Sequence, residues 1–181
     1  MTGIAILTAI LVGLWAFSTF IPTPALKLNF ALVPIVVGAC IYGPWCGLFL
    51  GAVDGILVVI DPATAGFLAI NPVVTILLCV LKTGLAGLAS GFLFKLLHKL
   101  NDLVACFVAS LVVPVINTGL FLLGSIIFFL EIFGGDVMVL LSVVFTLNFA
   151  IEFVIAIVMS PVIYKIISIF SKTIMRKEAE E

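Results

Sequence analysis

Apolar stretches longer than a membrane is thick dominate this chain. The segment Pro72–Leu97 holds Lys82 as its single charged residue before Lys95, whereas a helix needs only about 20 apolar residues to cross a bilayer. Such a segment must be helical, because each backbone group left unpaired in lipid costs several kcal/mol. The composition agrees, with 65% hydrophobic and 9% charged residues, against roughly 25% charged in soluble proteins. The sequence predicts an all-α integral membrane protein with one domain over residues 1–181.

The positions of the turns predict six transmembrane helices in one compact bundle. Pro44 divides the central apolar segment Leu26–Asp61 into a hairpin, because proline lacks an N–H and disfavours helix in the residue before it. Pro114 should interrupt the fifth helix. The four helices outside the hairpin are expected over about Thr2–Phe20, Pro72–Leu97, Leu103–Phe129 and Val137–Phe170, with a charged tail at 171–181.

The positive residues predict which side of the membrane each loop faces. The loops 21–29, 61–71 and 131–136 share one side, and both termini share the other. The terminal side carries Lys95, Lys99, Lys165, Lys172, Arg176 and Lys177, and the loop side carries Lys27. The positive-inside rule therefore places both termini in the cytoplasm and the three loops outside. The apolar loop 61–71 should either fold back as a lid or rest at the lipid surface, and 131–136 should be flexible.

Small residues mark two helix faces. Gly47, Gly51 and Gly55 recur at four-residue spacing and predict a face against which another helix packs backbone to backbone. In the first helix Ala5 and Ala9 form a similar pair, and Gly13 continues the same face. This second face is either a seam inside the protein or a docking surface for another membrane protein. The spacing alone favours the seam.

Polar residues are expected at the middle depth of several helices. They are Asp54, Lys82, Asn117, Asn148 and Glu152. Ionisable groups inside a membrane are costly and are candidates for function, and so many at similar depth predict a polar pocket that opens toward the outward loops. Two structural alternatives stay open. Lys82 could only bridge to Asp54 or Glu152, and Asn117 could only satisfy the carbonyl that a proline one turn away leaves free.

Several other functions are disfavoured. The single His98 lies in a predicted cytoplasmic turn, so no serine–histidine or metal–histidine arrangement is expected at membrane depth. The chain has no Walker A sequence, its four cysteines lie singly in apolar runs, and its formal charge of −1 gives no sign of nucleic-acid binding. We therefore expect no enzyme activity, cofactor or metal. The competing class is a structural or channel-type protein whose buried charges only bridge helices.

Three short segments follow the alanine pair of the first helix and a proline-rich loop. They read LKLNFALVP, GACIYGPWCG and GAVDG. In this order and spacing they resemble the substrate-binding (S) components of energy-coupling-factor vitamin transporters, closest to the branch that binds riboflavin, folate and pantothenate. The resemblance is clearest over the first four helices. It implies a six-helix fold in a prokaryotic cell membrane and high-affinity capture of a vitamin on the outer side.

The resemblance also implies a partner and further site residues. Docking through the Ala5/Ala9 face, with Gly13, would join the chain to a transmembrane coupling subunit driven by two cytoplasmic ATPases. In this family the outward loops and helix ends enclose the substrate. The candidates that this adds are Lys27, Asn29 and Asn71.

Pantothenate is the substrate that the sequence favours, ahead of riboflavin and folate. Large ring systems usually call for aromatic stacking, and the predicted outward half holds few Tyr or Trp residues. Lys82 and several amides would suit one carboxylate with hydroxyl and amide groups, although two acids for one base could instead favour a neutral or cationic substrate. Asn29 stands where relatives often have Asp, which weakens the transfer of a riboflavin or folate specificity.

Overall fold

The computed structural model describes residues 2–20, 30–143 and 149–180, with side chains throughout except at 20, 133, 142–143 and 171–180. All regular structure in these ranges is helical. The helices are α1 (Thr2–Phe20), α2 (Leu32–Tyr42), α3 (Pro44–Ile60), α4 (Ala65–Ile70), α5 (Pro72–Leu97), α6 (Asp102–Phe128), α7 (Val137–Val143) and α8 (Ala150–Glu180). Short 3₁₀ helices cover Pro62–Thr64 and Leu130–Phe133.

The hairpin of α2 and α3 turns at a single residue. Gly43 has φ +95°, a left-handed conformation that side chains with a Cβ rarely adopt. Pro44 then begins α3, where its missing N–H removes no helical hydrogen bond and its fixed φ suits the first turn. The predicted hairpin at this Gly-Pro pair is therefore present.

Helices α3 and α5 pack with their backbones in contact. A Cβ added to Gly55 would lie 2.6 Å from Val80 Cα, and Cβ atoms on Gly47 and Gly51 would overlap the carbonyl oxygens of Gly87 and Thr83. Only glycine permits this approach, because any side chain would push the helices apart. The predicted glycine face of the third helix is thus a tight seam with α5.

Helix α6 joins this pair through a polar contact. The Ser90 hydroxyl donates to the Ala109 carbonyl oxygen across a distance of 2.9 Å, and the Asn101 side chain caps the start of α6 by accepting from the backbone N–H of Leu103. Pro114 lies inside α6, which continues through it. The expected interruption of the fifth helix was therefore wrong, since the helix runs unbroken on both sides of the proline.

Helix α2 lies at the centre of the bundle, and α1 lies at its edge. Eight of the nine residues from Leu32 to Cys40 in α2, all but Val33, are buried, whereas only 11% of the spanning part of α1 is buried. Large apolar side chains on the outer faces, such as Phe17, Trp45 and Phe92, are exposed. Outward-facing apolar residues are expected where lipid is the solvent.

The described helices confirm an all-helical protein with membrane-spanning helices, but they do not confirm all six predicted spans. Four helices in the described ranges are long and apolar enough to cross a membrane, and a fifth span arises if α3 and α4, bent by 72° at Asp61, count together. Helix α2 has 11 residues, and the predicted sixth helix is described as α7 and α8 on either side of 144–148. Six spans and cytoplasmic termini stay predictions. Two of the three loops predicted to face outward contain helix in the described structure, with α4 in the loop 61–71 and the 3₁₀ helix Leu130–Phe133 at the loop 131–136.

The α3–α5 seam yields a stability prediction. Gly51→Ala places a Cβ against the Thr83 carbonyl, and overpacking of this kind costs about 1–3 kcal/mol. Thermal unfolding in detergent should show a clearly lowered Tm. The matched control is Gly119→Ala on α6, where an added Cβ meets no atom within 4 Å, and its Tm should be unchanged or raised, since alanine favours helix over glycine. Equal effects of both variants would contradict the seam.

Candidate functional site

A cavity of about 180 Å³ lies at one end of the bundle. It is the end at which α1, α3 and α6 finish and at which α5 and α8 begin, and we call it the cavity end. Because five helices and α4 contribute to its wall, the cavity is built from segments far apart in the sequence. The described lining residues are Trp15, Ser18, Val58, Asp61, Ala63, Thr64, Phe67, Thr75, Leu78, Cys79, Lys82, Asn117, Phe121, Phe129 and Glu152.

Lys82, Asn117 and Glu152 meet in the wall of the cavity. Asn117 Nδ2 donates to Glu152 Oε2 at 3.5 Å, a long hydrogen bond, and the Lys82 ammonium lies 4.9 Å from the centre of the Phe121 ring. Lys82 also interacts electrostatically with Glu152. Three of the polar residues predicted to share one depth are therefore brought together, from α5, α6 and α8.

Asp54 stands behind this group. It is fully buried in α3 and interacts electrostatically with Glu152 and with Cys79, but it does not line the cavity. A buried carboxyl next to a second one favours compensation by a proton or a cation. Asp54 thus influences the electrostatics of the site without lining its space.

Aromatic rings form the apolar part of the wall. Phe67 on α4 meets Phe121 and Phe129 edge-on, with ring centres 5.6 Å and 5.2 Å apart, and Trp15 reaches the cavity from α1. Edge-to-face contacts of this geometry are favourable beyond the area that they bury. Sequence reasoning missed these rings, because phenylalanine is common throughout this chain and nothing in the spacing separates wall residues from lipid-facing ones.

Two polar atoms in the cavity wall lack a hydrogen-bond partner among the described residues. They are the indole Nε1 of Trp15 and Oδ1 of Asn117, and both are shielded from solvent. An unsatisfied polar group in an apolar setting is costly, so a site that holds one donor and one acceptor in this state fits a small polar ligand. The orientation of the Asn117 amide is assigned from its partner, with Nδ2 donating to Glu152 Oε2 and Oδ1 on the other side.

Asp61 was not a candidate from the sequence, yet it lines the cavity and is only 6% exposed. Its Oδ1 accepts from the backbone N–H of Ala63 at 2.8 Å and begins the 3₁₀ helix that leads into α4. An Asp before Pro62 is typical of a turn, and that is also its local role here. The sequence therefore offered a sufficient structural explanation and no sign of the cavity.

Of the other predicted site residues, Asn71 is described and does not line the cavity. Asn71 caps α5, and its side chain accepts from the backbone N–H of Val74 at 3.2 Å. Lys27, Asn29 and Asn148 lie outside the described residues. Their predicted roles stay predictions.

The small-residue face of α1 lies at the opposite end of the molecule from the cavity. Ala5 and Ala9 are exposed there, and a Cβ on Gly13 would meet no atom within 4 Å. The alanines line an open apolar groove of about 1020 Å³, which we call the Ala5–Ala9 groove. Its described members are Ile4, Ala5, Thr8, Ala9, Val12, Tyr42, Trp45, Cys46 and Phe49.

The helices and a cavity that brings polar side chains into an aromatic wall define a class, a helical membrane protein with a site for a small solute. A family model described as "ECF transporter, substrate-specific component" matches residues 1–164. The chain therefore belongs to this family, whose members are the substrate-binding subunits of transporters rather than enzymes, and partner with the other components of the transporter in the membrane. Searches of curated proteins and of solved structures return no significant match.

The electrostatic group can be tested by a double-mutant cycle without any ligand. Lys82→Met should lower the Tm, because it leaves carboxyl groups uncompensated. The loss in free energy of unfolding should be smaller than the roughly 3–5 kcal/mol that breaking a fully buried ion pair costs. Glu152→Gln keeps a group that can bond Asn117 and removes a charge, so it should hold or raise the Tm. The double variant should recover most of the loss from Lys82→Met, with a coupling free energy clearly different from zero. Strict additivity would show that Lys82 and Glu152 do not act together.

Proposed function

We propose that this chain captures a water-soluble vitamin in the cavity and delivers it to a transporter complex. The observation that carries the proposal is the convergence of Lys82, Asn117 and Glu152 on a space of about 180 Å³. The family membership supports the vitamin-type substrate and the role as a binding subunit. The protein itself catalyses no reaction in this proposal.

The state of the polar atoms supports binding over a purely structural role. A bridge between helices would satisfy its own groups, because leaving a buried donor or acceptor unpaired costs about 1–3 kcal/mol. Here the Trp15 and Asn117 atoms stay unsatisfied within the described structure. A ligand that supplies both partners recovers that free energy on binding.

A channel is the less favoured alternative. An aqueous pore needs a continuous polar path, but the cavity lies at one end only. Beyond it α3 and α5 meet backbone to backbone at Gly47 and Gly87. Contacts this close leave no space for water between those helices.

We further propose that the cavity end faces outward. The opposite end bears the exposed residues Lys95 and Lys99 beside His98, and a concentration of positive charge favours the cytoplasmic side. The substrate would then enter from outside the cell, through the end that α4 partly covers. The localisation that follows is the prokaryotic cell membrane, with several spans.

The Ala5–Ala9 groove is the proposed contact with the transmembrane coupling subunit. Small side chains let a second helix approach α1 closely, and association of helices in lipid depends on such packing. Tyr42 and Trp45 on the far wall of the groove supply large apolar area at the same end. Two cytoplasmic ATPases complete the proposed importer.

One of the two reasons for which the sequence favoured pantothenate is weakened. It was the small number of Tyr and Trp residues in the predicted outward half, whereas four of the described lining residues are aromatic, one Trp and three Phe. The other reason, that Lys82 and several amides suit a ligand carboxylate, stays a prediction. Riboflavin and folate remain alternatives on the ground of stacking alone.

Ligand binding provides the first test of this function. The purified protein should show no ATP turnover and should be stabilised by one vitamin, by about 2.7 kcal/mol at a concentration a hundredfold above its Kd. Asn117→Leu should abolish most of this stabilisation. The control is Ser110→Ala on the same helix. It removes a buried hydroxyl whose described hydrogen bond is local, to the Cys106 carbonyl oxygen, so this variant should bind the vitamin normally. A panel of vitamins without any thermal shift would favour the structural alternative.

Docking is tested separately from binding. Replacing both alanines, in Ala5→Leu/Ala9→Leu, fills the groove and should reduce transport in cells that supply the coupling module, while the isolated subunit keeps its ligand affinity within a few fold. The control Ile6→Phe/Ile10→Phe adds bulk to exposed residues of the same helix that lie outside the groove, and should transport normally. Loss of affinity in the alanine variant would instead identify the face as an internal seam.

A further inference from the structure

We infer that the substrate is a single-ring nitrogen heterocycle, neutral or cationic, with at least one N–H donor and without a carboxylate. This inference rests on the proposed function and narrows it to a chemical class. Four properties of the cavity carry it: its volume, its aromatic wall, its charge and its two unsatisfied atoms.

The volume limits the substrate to a small molecule. An engineered cavity of about 150 Å³ in another protein holds one benzene ring, and the present cavity measures about 180 Å³. One ring with short substituents fits this space. A three-ring flavin, or a pterin extended by a benzoyl-glutamate chain, exceeds it.

The wall favours a planar ring over a branched chain. Phe67, Phe121 and Phe129 present adjoining aromatic surfaces, and Trp15 adds a fourth ring from α1. Aromatic side chains pack best against another flat π-system in stacked or edge-on geometry. An acyclic substrate such as pantothenate would leave this property unused.

The charge of the site disfavours an anion. Among the described lining residues the carboxyl groups are Asp61 and Glu152, and the ammonium group is that of Lys82. Asp54 adds a third carboxyl group close behind. Lys82 already interacts with Glu152 and with the Phe121 ring, so a carboxylate on the ligand would have to share that ammonium group with Glu152, in a medium where charge is costly. A neutral ring adds no charge to the site, and a protonated ring could pair with a carboxylate of the wall.

The unsatisfied atoms assign complementary groups on the ligand. Trp15 Nε1 is a donor and requires an acceptor, which a ring nitrogen supplies. Asn117 Oδ1 is an acceptor and requires an N–H, such as that of a ring amino group. Lys82 can bond a hydroxyl or carbonyl oxygen beside the ring. An amino- or amide-substituted pyrimidine or pyridine has this combination of groups.

The test compares ring compounds that differ in a single group. The pairs are nicotinamide with nicotinate, pyridoxine with 4-pyridoxate, and 4-amino-5-hydroxymethyl-2-methylpyrimidine with its 5-carboxylate. Riboflavin, folate and pantothenate complete the panel, and Kd is measured by titration of the purified full-length protein. The tightest ligand should be a single-ring compound without a carboxylate, and its carboxylate counterpart should bind at least about tenfold more weakly.

Variants show whether the named groups cause this preference. Trp15→Phe keeps a ring and deletes the donor, so the best ligand should lose up to about tenfold in affinity. Glu152→Gln should reduce the ratio of the Kd of the carboxylate counterpart to the Kd of the best ligand. Loss of the fold would weaken both compounds and would not produce this selective change. Ser110→Ala should change neither quantity, and Tm values report whether each variant is folded.

The outcomes separate the inference from the function beneath it. If riboflavin, folate, pantothenate or a carboxylate member binds most tightly, the chain is a vitamin binder and the proposed substrate class is overturned. An unchanged pair ratio in folded Glu152→Gln overturns the electrostatic part of the argument. If no compound in the panel binds and mass spectrometry finds no small molecule released from the purified protein, the proposed function itself fails.

Discussion

The backbone contact between α3 and α5 is the constraint on which the rest of the bundle depends. In lipid, burying an apolar side chain between helices gains little free energy, because the lipid tails are equally apolar. Close van der Waals packing must therefore replace the hydrophobic effect that stabilises soluble proteins. The glycines of α3 provide this because they place no Cβ against the backbone of α5. Gly91 of α5 does the same toward Pro44, since an added Cβ there would lie 2.5 Å from Pro44 Cα. With these two helices fixed, α5 holds Lys82 and Thr75 at the cavity and α6 brings Asn117 beside them. The polar site is therefore supported by a dry, glycine-lined half of the molecule.

This division separates the two ends by function. The cavity end concentrates buried carboxyl and amide groups and the half-buried Lys82, whereas the opposite end carries the Ala5–Ala9 groove and exposed basic residues. Under the proposed function, a ligand would meet a site whose polar groups are positioned by long helices, and the coupling subunit would meet α1. Only 11% of the spanning part of α1 is buried, against 39% for α5 and 33% for α6. Contact at α1 can change without disturbing the seam between α3 and α5.

The sequence predicted the class, the hairpin and much of the polar group, for a physical reason. A charged or amide side chain in an apolar run is conspicuous, so Lys82, Asn117 and Glu152 could be identified by their cost alone. The rings of the wall could not, because Phe67 or Phe129 is chemically indistinguishable from a residue that faces lipid. Pro114 misled for a related reason: proline breaks an isolated helix, but packing on both sides maintains α6. The helix α4 within a predicted loop was missed for the same reason, since its formation depends on packing against the bundle that the local sequence does not indicate.

The bend at Asp61 has a kinetic consequence. It turns the chain by 72° and carries Phe67 on a helix of only six residues, so one ring of the wall belongs to a small element while Phe121 belongs to a long one. A displacement of α4 would separate Phe67 from Phe121 and Phe129, and the cavity would lose part of its aromatic wall. The apparent affinity then depends on two factors: the fraction of time that α4 is packed on the bundle, and the contacts that the ligand makes when it is. Residence time and selectivity become partly independent quantities, the first set by how firmly a six-residue segment is held and the second by the groups on the bundle beneath it.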